Sequence, residues 1–166
     1  MFKKIIFIVL SFFCYSSILL AQNKSWQCSF EEVYSDGQSN TGILLINSNN
    51  LRYEYDRHDL YTLIYKLNGQ LYSIPNFQTD QIQIIQNNEV FFKELIKIYS
   101  TFPSTPNEIL IDDFFIKIEN SKQNEFIKRI AIQSPNLNIS LNFYNCDNKN
   151  INQLYFNLNP FNKVER

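Results

Sequence analysis

The stretch from Gly42 to Asp56 leaves this chain few folds to choose from. Ile43 to Ile46 is a short apolar run with branched residues, the composition of a strand covered on both faces. Asn47-Ser48-Asn49-Asn50 is turn chemistry, because Asn tolerates positive φ and its side chain bonds locally to the backbone. Leu51, Tyr53 and Tyr55 then alternate with Arg52, Glu54 and Asp56, the period of a half-buried strand. The stretch therefore predicts a hairpin in a sheet whose inner face is covered by something else.

The remaining elements extend that sheet. Asn23 to Tyr34 reads as a first strand with Trp26, Cys28 and Phe30 inside, followed by a Ser35–Gln38 turn. Tyr61 to Leu67 is a further strand, closed by the two-residue turn Asn68-Gly69. Leu71 to Ile74 returns until Pro75, and Gln81 to Ile85 is a short strand. Asn87-Asn88 offers a helix cap, with Glu89 near the positive helix end. Val90 to Tyr99 then carries Phe91, Phe92, Leu95, Ile96, Ile98 and Tyr99 as a broad apolar helix face. Pro103 and Pro106 prevent its continuation. Beyond Glu108 the chain is all strand. The apolar phase shifts at Asp112-Asp113, which implies a bulge or tight turn. Phe126–Ile132 and Leu137–Phe143 follow, and Leu154, Phe156 and Leu158 read as a last strand. The expectation is a mainly β fold: a curved antiparallel half-barrel sheet of nine to eleven strands with one covering helix.

The first residues, MFKKIIFIVLSFFCYSSILLAQ, have a positive start, an apolar centre and a small residue at Ala21. They read as a secretory signal peptide over residues 1–21, leaving residues 22–166 as one domain. The alternative, an uncleaved membrane anchor, has a short apolar run for a bilayer span of about 20 residues. Lys3 and Lys4 would leave with the leader, tilting 15 basic against 16 acidic residues further to the acidic side. With no basic run, nucleic acid is not an expected partner. Export also admits a disulfide. Cys28 and Cys146 either form one or remain two thiols, because spacing cannot show whether their Cα atoms approach closely enough.

No catalytic pattern emerges. His58 is the single histidine and sits in a polar loop. There is no Cys-x-x-Cys pair, no Gly-x-Ser-x-Gly elbow and no glycine-rich phosphate loop. Glu31-Glu32 and Asp112-Asp113 are adjacent pairs, which on strands point to opposite faces and cannot act as a dyad. The reading is a non-enzyme without metal or cofactor.

A glycine opening an apolar strand, a polar turn, then Leu51-Arg52-Tyr53-Glu54-Tyr55 resembles the LolA family of periplasmic carriers of outer-membrane lipoproteins. Leu63 to Gly69 stands where that family has a strand and its Asp-Gly turn. Asn47-Ser48-Asn49 replaces the family's Arg-Pro. Once a leader over residues 1–21 is removed, residues 22–25 alone precede Trp26, so the family's N-terminal amphipathic helix is expected to be absent or supplied by an uncleaved leader. The resemblance implies a periplasmic, monomeric carrier that shields acyl chains of lipoproteins. It would accept them from an inner-membrane lipoprotein-releasing transporter and deliver them to an outer-membrane receptor. A lipid or apolar small-molecule binding protein of the same fold and a structural envelope protein are the other readings. Expected cleft residues are Leu44, Ile46, Tyr53, Tyr55, Leu63 and Tyr65 of the sheet, and Phe91, Phe92, Leu95 and Ile96 of the helix. Taken singly, each of these reads more simply as plain core. Arg52 is either a contact for cargo or donor complex, or an outward charge beside Glu54.

Overall fold

The structure, a computed structural model, describes residues 25–77, 81–85, 89–123, 125–135, 137–159 and 164. The proposed leader and the Asn87-Asn88 cap lie outside these residues. The described chain forms ten strands: β1 (Trp26–Tyr34), β2 (Ser39–Ile46), β3 (Asn50–Tyr55), β4 (Tyr61–Lys66), β5 (Gln70–Pro75), β6 (Gln83–Ile85), β7 (Glu108–Ile111), β8 (Phe114–Asn120), β9 (Ile127–Ser134) and β10 (Leu137–Asn148). They make one antiparallel sheet in the order β6-β5-β4-β3-β2-β1-β10-β9-β8-β7. Every neighbouring pair but β1 and β10 is consecutive in sequence, so the sheet is two meanders joined along their first and last strands.

Local chemistry sets the turns. Asn47 Oδ1 accepts from the amides of Asn49 and Asn50 at 2.9 and 2.7 Å, which holds the β2–β3 turn. Gly69 closes β4–β5 at φ 90°, a backbone region open to glycine and strained for other residues. Asp112 turns β7 into β8 at φ 49°. This tight turn is the cause of the phase shift between Ile109/Ile111 and Ile116/Ile118.

β6 and β7 are the two free edges, and the chain passes between them through helix α1 (Glu89–Thr101). Trp26, Phe30, Leu44, Leu51, Tyr65, Ile118, Ile130 and Phe143 from across the sheet share one core cluster with Leu95, Ile98 and Tyr99 of α1. Residues so far apart in strand order meet around one helix because the sheet curls about it without closing. The half-barrel with a covering helix expected from the sequence is therefore the observed architecture. Lys97 O receives hydrogen bonds from Ser100 Oγ and Thr101 Oγ1, and Ile98 O receives one from Thr105 Oγ1, so side chains satisfy the last-turn carbonyls.

Two expectations are corrected. The segment holding Leu154 and Phe156 is a 3-10 turn, Gln153–Phe156, rather than a strand. Asn152 caps it by accepting from the Leu154 amide, and Phe156 packs on the outer face of the sheet with Ile43, Leu45, Ile151 and Val164. This second small cluster also means that β3 is covered on both faces, not one. In β10, Asn145 adopts φ 50° where the register to β1 slips. That irregularity re-aims Cys146 toward the core, against the simple alternation from Tyr144. Cys146 is joined to Cys28 in a disulfide with an S–S distance of 2.09 Å.

Candidate functional site

α1 does not lie evenly on the sheet. Its C-terminal half packs directly on one end: Tyr99 and Phe102 stand 6.2 and 5.5 Å from Trp26, ring centre to ring centre, and Tyr99 stands 5.8 Å from Phe143. Its N-terminal half, carrying Val90, Phe91 and Phe92, stands over the other end and leaves a cavity of about 410 Å³. Volumes of this order are common for small-molecule sites. Leu63 and Leu71 wall it from one meander, and Phe114, Ile132 and Ile139 from the other. Tyr61, Val90 and Leu137 are its exposed members and mark where it opens to solvent.

Among the described residues the cavity wall is apolar and aromatic with one charged exception. Glu32 lies on the inward parity of β1 and is 6 % exposed. The Tyr55 hydroxyl donates to Glu32 Oε2 at 2.6 Å. Tyr34, Tyr53 and Tyr61 complete the polar end. Burial pushes the Glu32 carboxyl up, and the hydroxyls of Tyr55, Tyr34 and Tyr53 partly offset this. The same burial, together with the charge of Glu32, pushes the Tyr34 phenol up to about 12 and raises Tyr53, Tyr55 and Tyr61. A run of rings leads from the core to the mouth. Phe30 stacks on Tyr53 at 4.0 Å, Tyr53 meets Tyr55 edge to face at 5.1 Å, and Tyr55 meets Tyr61 edge to face at 5.5 Å.

Of the cleft residues expected from the sequence, Tyr53, Tyr55, Leu63, Phe91 and Phe92 line this cavity. Leu44, Ile46, Tyr65, Leu95 and Ile96 do not. They are buried members of the core cluster instead, Tyr65 with its ring 6.3 Å from that of Phe92. Sequence reasoning missed Glu32, Tyr34, Tyr61, Phe114 and the Ile132/Ile139 wall. Their signal was present: Glu32 breaks an inward series Trp26, Cys28, Phe30, and a charge at an inward position is costly unless the site uses or satisfies it.

Arg52 stands beside Glu54, as the second of its two readings has it, but is buried there rather than solvated. It is 1 % exposed, on the outer face. Its Nε and Nη2 both bind Glu54 Oε2, at 2.9 and 2.6 Å, and Nη1 binds the Tyr155 carbonyl at 2.9 Å. The C-terminal segment thus covers a face that strand periodicity alone would leave wet. His58 is exposed in the β3–β4 loop. Among the described residues no group of three or more His, Cys, Asp or Glu side chains could hold a metal, and no helix is long and apolar enough to cross a membrane.

No family model and no curated protein matches this chain. Among solved structures it is similar to an uncharacterized conserved protein from Thermus thermophilus, with a TM-score of 0.48 and 8% identity over 82% of this chain and 85% of that one. It is also similar to a LolA superfamily protein from Nitrosomonas europaea, with a TM-score of 0.42 and 7% identity over 84% of this chain and 91% of that one.

Proposed function

We propose that this protein is a periplasmic, non-enzymatic carrier that shelters an acyl chain in the cavity under the N-terminal half of α1. The observation that carries the reading is the cavity itself. An apolar space of about 410 Å³ stands open to solvent where the rest of the same interface is close-packed. Left in water, an acyl chain costs about 0.8 kcal/mol per exposed CH₂. A walled cleft removes that cost without any covalent chemistry. At ~30 Å³ per water-sized group, the space takes roughly a dozen such groups, the length of one chain. Acylated lipoproteins are the cargo implied by the sequence resemblance of Gly42–Tyr55, with an inner-membrane transporter and an outer-membrane receptor as partners. The single-chain size of the cavity favours a free lipid as a second cargo.

The test is native mass spectrometry of the full chain after export to a periplasm, with a fluorescent acyl probe in parallel. A bound lipid or acylated peptide in the wild type is expected. Phe91→Asp, at a partly exposed position in the cavity wall, should weaken probe binding by about tenfold or more while the fold survives. An apo mass and no probe uptake would overturn the carrier. Depletion in the native host separates the cargoes: lipoproteins that remain correctly sorted exclude the lipoprotein route but not lipid binding.

A further inference from the structure

We infer that the cavity selects an amphiphile with one alkyl chain and a protonated-amine head group, the ammonium resting against Glu32 within the Tyr53–Tyr55–Tyr61 ring cluster. The inference rests on the carrier reading above and narrows its ligand class. Among the described residues Glu32 is the one charged side chain of the cavity wall, and no described Lys, Arg or His accompanies it there. An anionic head group would meet a like charge with no cation to balance it. An ammonium would find both a carboxylate and several aromatic rings, the combination that recognises organic cations. The apolar walls continue from that point along Leu63, Leu71 and Ile132, so one end of the space suits charge and the rest suits hydrocarbon.

A second observation points the same way. Tyr53 lines the cavity, is 3 % exposed, and its Oη, near enough to Glu32 to lower that carboxyl, completes no hydrogen bond of ordinary length and angle to a described residue. Leaving a buried hydroxyl unpaired costs about 1–3 kcal/mol. Its oxygen can accept an N–H from an ammonium that also touches Glu32. The groups facing Glu32 are Tyr34 of its own strand, Tyr53 and Tyr55 of β3, and Tyr61 of β4. All are phenols raised above their ordinary range and therefore neutral at physiological pH. Burial pushes the Glu32 carboxyl up, and an ammonium against it would act in the opposite direction.

The experiment is isothermal titration of the full, exported chain with dodecylamine, 1-dodecanol and dodecanoate, each below its micellar concentration. These share a chain and differ only in head group. Dodecylamine is expected to bind at least about tenfold tighter than dodecanol, the size of a partly desolvated cation–π and charge-assisted contact. Glu32→Gln should narrow that gap to less than about threefold. Tyr61→Leu, at the half-exposed mouth, should narrow it in part, and it serves if Glu32→Gln does not fold. Equal affinities for amine and alcohol, tighter dodecanoate, or an amine preference that survives in both variants would overturn the head-group assignment and leave the carrier standing. Failure of all three probes to bind would remove the carrier reading along with it.

Discussion

Gly42 is where a single atom decides the inner wall. A Cβ there would overlap the Glu54 carbonyl oxygen and the Phe30 ring. Only a bare Cα lets Phe30 lie flat on Tyr53, and that stack backs the polar end of the cavity. Gly42→Ala should therefore cost about 1–3 kcal/mol by overpacking, read by chemical denaturation, and should weaken acyl-probe binding as Phe30 and Tyr53 are displaced. Glu32 acts at the same scale through protons. Its carboxyl is raised from 4.5 by burial, so the folded chain holds this proton more firmly than the unfolded chain. Its contribution to stability is greatest below that value and falls as pH rises through the raised range. Denaturation of wild type and Glu32→Gln from acid to neutral pH should show the variant gaining relative stability as pH rises. A constant difference would mean that Glu32 titrates normally. The buried phenols predict that Tyr34, with a value of about 12, and Tyr53 and Tyr55 stay protonated well above pH 10, and that Tyr61 is shifted in the same direction. Ultraviolet titration of the folded chain should accordingly lag that of the denatured chain.

At the scale of elements, β3 and α1 each have two jobs. β3 gives Tyr53 and Tyr55 to the cavity on one face and the Arg52–Glu54 pair to the outer cluster on the other. That pair is buried on both sides, with side chains 1% and 5% exposed. Replacing a buried pair as a unit is often tolerated, whereas removing one partner strands the other charge. Arg52→Ala should then destabilise by about 3–5 kcal/mol, and Arg52→Met with Glu54→Leu by much less, checked by denaturation of both variants. A loss of partner binding without loss of stability in Arg52→Ala would restore Arg52 as a docking residue. α1 divides its apolar face between anchor and cover. Leu95, Ile98 and Tyr99 fix the C-terminal half, which frees Phe91 and Phe92 to wall a space rather than fill it.

For the whole molecule, the seam that matters is β1 against β10, where the two meanders join. The Cys28–Cys146 bridge spans that seam and ties residues 118 positions apart. Closing a loop of that order removes unfolded-state entropy worth about 5 kcal/mol, and loss of a native bridge in a small exported domain costs about 2–5 kcal/mol. Reduction, or Cys146→Ser, should lower the melting temperature by roughly 5–15 °C in calorimetry. An unchanged melting temperature would place the seam's strength in its strand pairing alone.

Much of this was legible in the residues because it is local. Asn47–Asn50 and Asn68-Gly69 specify their turns by their own hydrogen bonds and dihedrals. The alternation of Leu51, Tyr53 and Tyr55 specifies an inward face, and the helical spacing from Phe91 to Tyr99 specifies a covering helix. Those terms act over a few residues and were enough for a curled antiparallel sheet with one helix. Where the helix lies close and where it stands off was not legible, because it depends on how side chains from β1, β3, β4, β9 and α1 fill one volume. That packing moved Leu44, Ile46, Tyr65, Leu95 and Ile96 into the core and brought Glu32 together with Tyr34, Tyr53, Tyr55 and Tyr61. The covering of Arg52 by the C-terminal segment and the turning of Cys146 toward Cys28 are likewise contacts between distant parts of the chain. Periodicity assigns a side chain to a face of the sheet, but only the folded chain shows what occupies that face.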